Sequence, residues 1–339
     1  MKTDDPWREC QADRLQRALD LDEPLEVRKI RRSIRDLLRA RLHKRGVVVA
    51  LSGGIDSSVC AALAAEALGP QRVFGLLLPE RESSSGSLER GKLLCGHLGL
   101  RHRIHDLSAA LEAVGCYRER DQAIRRLFPD YGPAWRSKIV IGDFGAGALH
   151  HFRLVVEDPS GVVHERRLGL REYLQIVAAT NYKQRLRKSV EYFHADRLNY
   201  AVLGTASRLE YDQGFFVKNG DGSADLKPIA HLYKVQVYAL ARYLGLPAAI
   251  CSAIPTTDTY SLPQGQDEFY FSLPYDKMDL ALWAYNHDVP PPTLAPALAL
   301  SREQTERVYR DIEAKRRATR YQHAPPLLTE AVPQVNAMV

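Results

Sequence analysis

The sequence predicts an α/β fold, an open parallel sheet flanked by helices with an inserted β-hairpin, and three observations predict it. Two strand-sized runs, Val47-Val48-Val49-Ala50-Leu51 and Val73-Phe74-Gly75-Leu76-Leu77-Leu78, are apolar on both faces, as strands in the middle of a parallel sheet are. Segments with helical spacing separate such runs, the signature of βαβ units. A loop rich in glycine and serine follows the first run directly, at the carboxyl edge where open α/β sheets bind ligands.

The elements follow in order. A first helix is expected over residues 24–45, where Leu25, Ile30, Ile34, Leu37, Leu38 and Leu42 recur at three, four and seven and arginines fill the other face. Gly46 ends it, and the first strand follows. Residues 59–68 have helical spacing with Gly69-Pro70 as the stop. The second strand is closed by Pro79. Residues 88–98 read as another helix and Arg103-Ile104-His105-Asp106-Leu107 as a third strand. A later strand, Tyr200-Ala201-Val202-Leu203, leads into Gly204-Thr205. Between residues 107 and 180 the rhythm breaks. Residues 152–157 and 162–166 flank the turn sequence Asp158-Pro159-Ser160-Gly161, which predicts a hairpin projecting from the core. Residues 1–45 are expected to form a helical extension, 46–324 the main domain with 107–180 as an enlarged insertion, and 325–339 a loosely ordered tail.

Composition narrows the class. Apolar residues make up 45% and charged residues 26% of the 339, the balance of a soluble chain with a full core, which excludes disordered and collagen-like chains. No run approaches the roughly 18–20 apolar residues of a membrane helix. The acidic amino terminus lacks an apolar segment, so no secretory signal and a cytoplasmic location are expected. Five scattered cysteines (Cys10, Cys60, Cys95, Cys116, Cys251) form no C-x-x-C pair, which argues against a zinc knuckle, a redox motif or a disulfide framework. Cys60 and Cys95 lie in apolar helix patterns and read as inert core residues. The 47 basic residues exceed the 41 acidic ones, and residues 1–45 carry 13 basic against 9 acidic side chains. Such a surface suits phosphorylated small molecules or nucleic acid, but a solvated helix face is the better-supported explanation.

The most informative segment is Leu51-Ser52-Gly53-Gly54-Ile55-Asp56-Ser57-Ser58-Val59. Two glycines let the backbone turn tightly and bring its N–H groups to an anion. Ser52, Ser57 and Ser58 add hydroxyl donors, and the helix beginning there presents its positive end. Neutral donors in this number suit a pyrophosphate, and Asp56 is placed to hold a Mg²⁺ bridging phosphate oxygens. No G-x-x-x-x-G-K-[ST] sequence occurs, which argues against γ-phosphoryl transfer by a P-loop.

Ser52-Gly53-Gly54-Ile55-Asp56-Ser57 resembles the pyrophosphate loop of the N-type ATP pyrophosphatases, whose fold is adenine nucleotide alpha hydrolase-like. In that superfamily the loop holds the β- and γ-phosphates as leaving group while a substrate oxygen attacks the α-phosphorus. Later blocks resemble the ammonia-dependent NAD synthetases. Asn181-Tyr182-Lys183-Gln184-Arg185-Leu186-Arg187 is similar to their N-x-x-x-R-x-R helix, and Gly204-Thr205-Ala206-Ser207-Arg208-Leu209-Glu210 to their G-T-x-x-x-x-E turn. Residues 214–229 follow their G-F-x-T-K-x-G-D-G-x-x-D-x-x-P stretch. Leu232-Tyr233-Lys234-Val235-Gln236-Val237 matches L-x-K-x-Q-V, Pro255-Thr256-Thr257-Asp258 matches P-T-A-D, and Gln266-Asp267-Glu268, Tyr275 and Asp279 fit Q-x-D-E and Y-x-x-I-D.

The resemblance implies that Asp56, Glu210 and Lys234 are catalytic, with Asp56 and Glu210 sharing Mg²⁺ and Lys234 neutralising charge on the reacting phosphates. It implies ATP binding, as co-substrate, by Ser52, Gly53, Gly54, Ile55, Asp56, Ser57, Thr205, Lys234 and Thr256. Arg185, Lys218 and Asp225 would bind nicotinate adenine dinucleotide, and Lys315 would stand in for the lysine of the family's H-K-R-x-x-P segment. Here that segment reads Ala314-Lys315-Arg316-Arg317-Ala318-Thr319, and Val217 and Asn219 replace the usual threonine and tyrosine around Lys218. The implied reaction is adenylation of the nicotinate carboxylate and displacement of AMP by ammonia, in a homodimer. About 45 residues precede the first strand, too few for the glutaminase of glutamine-dependent relatives, so nitrogen is expected as free ammonia or from a separate glutaminase. Two other readings stay open: an adenylating amide ligase for a specialised carboxylate, suggested by the insertion and the missing histidine, and an RNA-binding relative, suggested by the basic first helix alone. No thiolating cysteine pair or RNA-binding module accompanies the latter. His150-His151 reads as a hairpin cap rather than a metal site, and no membrane contact is implied.

Overall fold

The computed structural model describes residues 15, 17–141, 152–253, 260–263, 265, 270–271 and 273–333. The expected cap on His150-His151 and the expected ATP contact of Thr256 lie outside them.

Helix α1 (Glu23–Leu37) starts on Asp22, whose side chain accepts from the Leu25 N–H at 2.9 Å. It buries Val27, Ile30 and Ile34 and leaves its arginines at the surface. The helix ends short of residue 45, because the backbone widens over Leu38–Leu42 and His43 closes it in the left-handed region at φ 51°. Strand β1 (Val47–Ala50) follows, then helix α2 (Ile55–Leu68), strand β2 (Val73–Leu77), helix α3 (Ser85–Leu98) and strand β3 (Arg101–Ile104). α2 begins four residues before the sequence pattern suggests, since the extended Gly54 caps it and Ile55 is already core. It is apolar nearly all round and correspondingly buried from Val59 to Ala64. β3 also lies earlier than expected. Its four residues are exposed at the sheet edge, and the buried Leu107 instead opens the next helix.

The insertion holds helices α4 (Ser108–Ala113) and α5 (Cys116–Arg125), then an antiparallel sheet of β4 (Arg136–Ile141), β5 (Phe152–Glu157) and β6 (Val163–Arg167). The expected hairpin is β5–β6, its turn fastened by Asp158, whose Oδ1 accepts from the Ser160 and Val162 N–H groups. β4 is a correction to the two-stranded reading: it pairs with β5 from Arg136↔Glu157 to Ile141↔Phe152. This sheet has its own core, with Ile139, Leu154, Val156, Phe128 and Ile176. Ile176 belongs to helix α6 (Leu170–Leu198), 29 residues long, which runs from the insertion back to the main sheet.

Strand β7 (Ala201–Val202) completes that sheet, in the order β3-β2-β1-β7, all parallel. Leu203 adds a single bridge to Leu226. Helices α7 (Arg208–Gln213), α8 (Lys234–Tyr243), α9 (Ala248–Cys251), α10 (Tyr275–Asn286), α11 (Pro291–Leu298) and α12 (Arg302–His323) follow. Residues 324–333 carry no helix or strand, and Leu327 is 91% exposed. Among the described residues no helix is long and apolar enough to cross a membrane. Cys60 and Cys95 are buried, and burial pushes both thiols up, Cys95 to about 11, as inert core residues require.

A buried ionic network ties the insertion to the carboxyl end of β2. Lys183 of α6 donates to Glu80 at 2.9 Å and Glu82 at 2.6 Å, Arg120 of α5 donates to Glu82 at 2.5 Å, and Tyr117 donates to Glu80 at 2.7 Å. Burial alone would raise the Glu82 carboxyl; Lys183 and Arg120 outweigh it and hold the group below its ordinary 4.5. Lys183→Met strips the ammonium from two buried carboxylates and is expected to cost about 3–5 kcal/mol in urea denaturation at neutral pH. Since the folded Glu82 value is lowered, the stabilisation that Glu82 adds is present above pH 4.5 and fades as pH falls through the lowered value.

Candidate active site

The β1–α2 loop forms a cradle. Gly53 lies in the left-handed region at φ +74°, and a Cβ there would meet the Ser87 carbonyl oxygen at 2.4 Å, so only glycine fits. The Gly54 N–H donates to Ser52 Oγ at 3.2 Å, which in turn lies 3.2 Å from Ser57 Oγ. Ser57 and Ser58 hydroxyls donate to the Gly54 carbonyl at 3.1 and 2.8 Å. The hydroxyls thus hold one another and the first turn of α2, whose dipole points its positive end at the same space. Arg90 of α3 braces the loop, donating from Nε to the Gly53 carbonyl at 3.0 Å. Ile55 is buried beneath it.

Two distant segments converge on Asp56 beside this cradle. Lys234, at the start of α8, places Nζ 2.5 Å from Asp56 Oδ2 and 3.7 Å from Glu210 Oε1, and its side chain is 1% exposed. Burial pulls the ammonium towards neutrality, but the Asp56 and Glu210 carboxylates more than offset it, so Lys234 titrates above its ordinary value and stays charged. Burial lifts Asp56 to about 6; Lys234 opposes that shift and the neighbouring Glu210 adds to it. Glu210 is set by a capping box: its Oε2 accepts from the Ser207 N–H at 2.9 Å and the Ser207 hydroxyl at 3.1 Å. That leaves Oε1 turned towards Lys234.

The donor set suits a hard divalent cation. Asp56 Oδ1 is buried with no hydrogen-bond partner, an expensive state for a carboxylate oxygen unless a cation or donor arrives. With Glu210 Oε1 it could supply two single-oxygen ligands to a Mg²⁺, leaving positions for phosphate and water. No group of three or more His, Cys, Asp or Glu side chains that could hold a metal ion occurs among the described residues.

Of the remaining candidate residues among those described, only Arg185 and Lys218 are in direct contact. Arg185 Nε donates to the Lys218 carbonyl at 3.3 Å. Lys218 Nζ donates to the Tyr321 carbonyl at 2.8 Å, at the end of α12. Asp225 accepts from the Val202 N–H at 2.7 Å and the Tyr192 hydroxyl at 3.3 Å, anchoring β7 to α6. Lys315 is spent locally, donating at 2.6 Å to both Asp311 and the Tyr270 carbonyl. Thr205 is half-buried just past β7.

Sequence reasoning passed over two supports. Asp279, matched only as part of a motif, is fully buried, and its Oδ2 accepts from the Val235 N–H at 2.9 Å, so it caps the helix that carries Lys234. Burial pushes its carboxyl up to about 7. Tyr275, one turn earlier on α10, sets its ring 5.3 Å from Lys234 Nζ. The i, i+4 spacing of Tyr275 and Asp279 was the available signal. The other support is Arg90, which has no signal in sequence because its partner is a main-chain oxygen.

The NAD synthase family model matches residues 26–126 and 158–324. The unmatched interval contains β4 and β5. A relative from Mesorhizobium japonicum named NH(3)-dependent NAD(+) synthetase is 53% identical over 312 residues, covering 92% of this chain and 98% of its own. One from Rhizobium meliloti with the same name is 54% identical, covering 94% and 95%. Among solved structures, the NH3-dependent NAD synthetase from Campylobacter jejuni in complex with the nitrate ion superposes with a TM-score of 0.60 at 23% identity, covering 91% of this chain and all of that one. The NMN synthetase from Francisella tularensis superposes with a TM-score of 0.63 at 20% identity, covering 92% and 100%. At these identities the two structures share the fold.

Because the folded value of Asp56 is raised, its ionised form weakens the fold above pH 6, and that penalty disappears as pH falls towards 3.8. Asp56→Asn removes this titration, so its stability relative to the parent is expected to rise as pH climbs from 3.8 towards 6 without divalent cations, as followed by thermal melts across pH.

Proposed function

Since this chain belongs to the NAD synthase family, we propose that it is an ammonia-dependent NAD⁺ synthetase that adenylates the nicotinate carboxylate of nicotinate adenine dinucleotide with ATP. The carrying observation is the meeting of the glycine-serine cradle with Asp56, Glu210 and Lys234, contributed by segments up to 178 residues apart. An ionised carboxylate resists attack by ammonia, because resonance and negative charge both repel the nucleophile. Transfer of AMP to it supplies a leaving group.

The residues divide the work. The cradle's amides and hydroxyls would hold the β- and γ-phosphates, so that pyrophosphate leaves from a site already organised for it. Lys234, kept cationic by its neighbours, would offset charge growing at the α-phosphorus and the departing oxygen. Asp56 and Glu210 would hold Mg²⁺, which when bound neutralises phosphate charge and orders the oxygens. Arg185 and Lys218 would face the dinucleotide. The high identity to relatives named as NH(3)-dependent NAD(+) synthetases favours this acid over a specialised one.

We read the assembly as a homodimer built on α6. Leu174, Tyr182 and Phe193 are 56, 41 and 61% exposed and lie within about 100° of one another around that helix, with Arg185 exposed among them. Two copies packed along this stripe would bring Arg185 to the subunit boundary.

Incubation with nicotinate adenine dinucleotide, ATP, Mg²⁺ and ammonium is expected to yield NAD⁺, AMP and pyrophosphate in equal amounts; ADP as the nucleotide product would overturn the reading. Lys234→Met should lower kcat by about 10²–10³-fold. For the assembly, Leu174→Asp with Phe193→Asp is expected to convert a dimer to a monomer in light scattering.

A further inference from the structure

Arg90 stands behind the cradle, on the first turns of α3. Its Nε donates to the Gly53 carbonyl at 3.0 Å and its NH2 to Ser87 Oγ at 3.3 Å. Ser87 Oγ in turn lies 2.8 Å from Ser84 Oγ, and Ser84 caps α3 by accepting from the Ser87 N–H. The guanidinium is thus fixed at two points, one on the loop and one on the helix terminus.

We propose that Arg90 is a positioning residue that sets the Gly53–Gly54 peptide plane and thereby aims the Gly54 N–H into the phosphate cradle. The two ends of a trans peptide point in opposite directions. Fastening the Gly53 oxygen on the α3 side therefore commits the Gly54 N–H to the other side, where Ser52 Oγ accepts it at 3.2 Å and where an anion would be received. A plane between two glycines needs such a fastening, because glycine crosses between left- and right-handed conformations at little cost. Gly53 is left-handed here, with the Ser87 carbonyl packed against the face a Cβ would occupy. Arg90 serves the loop's geometry rather than its charge. The inference rests on the reading that this loop receives the pyrophosphate of ATP.

Two substitutions separate geometry from charge. Glutamine carries its Nε2 on Cδ, where arginine carries Nε, so Arg90→Gln keeps a donor for the Gly53 oxygen and loses the charge. Arg90→Lys keeps the charge and loses the donor at that position. Calorimetric titration of inorganic pyrophosphate with Mg²⁺ into each full-length protein is expected to show parent-like binding for Arg90→Gln and about tenfold weaker binding for Arg90→Lys, the loss of one oriented hydrogen bond. The KM for ATP should rise by the same factor in Arg90→Lys while the KM for the dinucleotide stays put and thermal melts coincide. Parent-like binding by Arg90→Lys, or equal weakening in both variants, would overturn the inference, as would a parallel rise of both KM values. Absence of pyrophosphate binding in the parent protein would instead overturn the reading of the loop and take the inference with it.

Discussion

The site depends on one buried cation. Lys234 Nζ lies within 4 Å of two carboxylates in a pocket that leaves its side chain 1% exposed. Two acids so close repel each other, and each loses hydration on burial. The ammonium makes their proximity tolerable, yet the compensation is incomplete: Asp56 still titrates near 6 and keeps an oxygen without a partner. A protein that needed only stability would replace this cluster with apolar side chains. The residual demand for positive charge is what the proposed Mg²⁺ and the phosphates it accompanies would meet.

The rest of the fold holds that cluster in place. α2 must start at Ile55 for Asp56 to leave the sheet edge in the right direction, and its buried, alanine-rich body seats it against β1 and β2. α7 fixes Glu210 by folding the side chain back onto its own first turn. α10 fixes Lys234 indirectly, through the Asp279 carboxylate on the Val235 amide. Glu210 and Lys234 are therefore oriented through hydrogen bonds that their helix termini need in any case, so the same contacts serve folding and the site's geometry.

The insertion reaches the same edge of the sheet by a different route. Its helix α5 and the long α6 send Arg120 and Lys183 into the segment after β2, where Glu80 and Glu82 receive them. That segment leads straight into α3, whose Arg90 and Ser87 abut Gly53. Helices α5 and α6 are thus tied to the segment that leads into α3, and α3 in turn is tied to the β1–α2 loop. The physical requirement is that every charge in these contacts be satisfied, since an unpaired member would cost more than the whole network contributes.

Much was legible from sequence alone. The parallel sheet followed from apolar runs of strand length, because a strand covered by helices on both faces has no polar side to show. The cradle followed from Ser-Gly-Gly-Ile-Asp-Ser directly after such a run, because tight anion-binding turns demand glycine at set spacings. The hairpin followed from Asp158-Pro159-Ser160-Gly161, a local signal that needs no partner. Tertiary structure alone decided the rest. β4 shows itself only through its pairing with β5; β3 ends at Ile104 because Leu107 turns into the core as the cap of the next helix. Lys315 is drawn into a local pair with Asp311, and Arg90 and Asp279 gain their roles from main-chain atoms far away in the chain. Local chemistry is written in neighbouring residues, whereas a contact between distant segments exists only once packing has set their distance and direction.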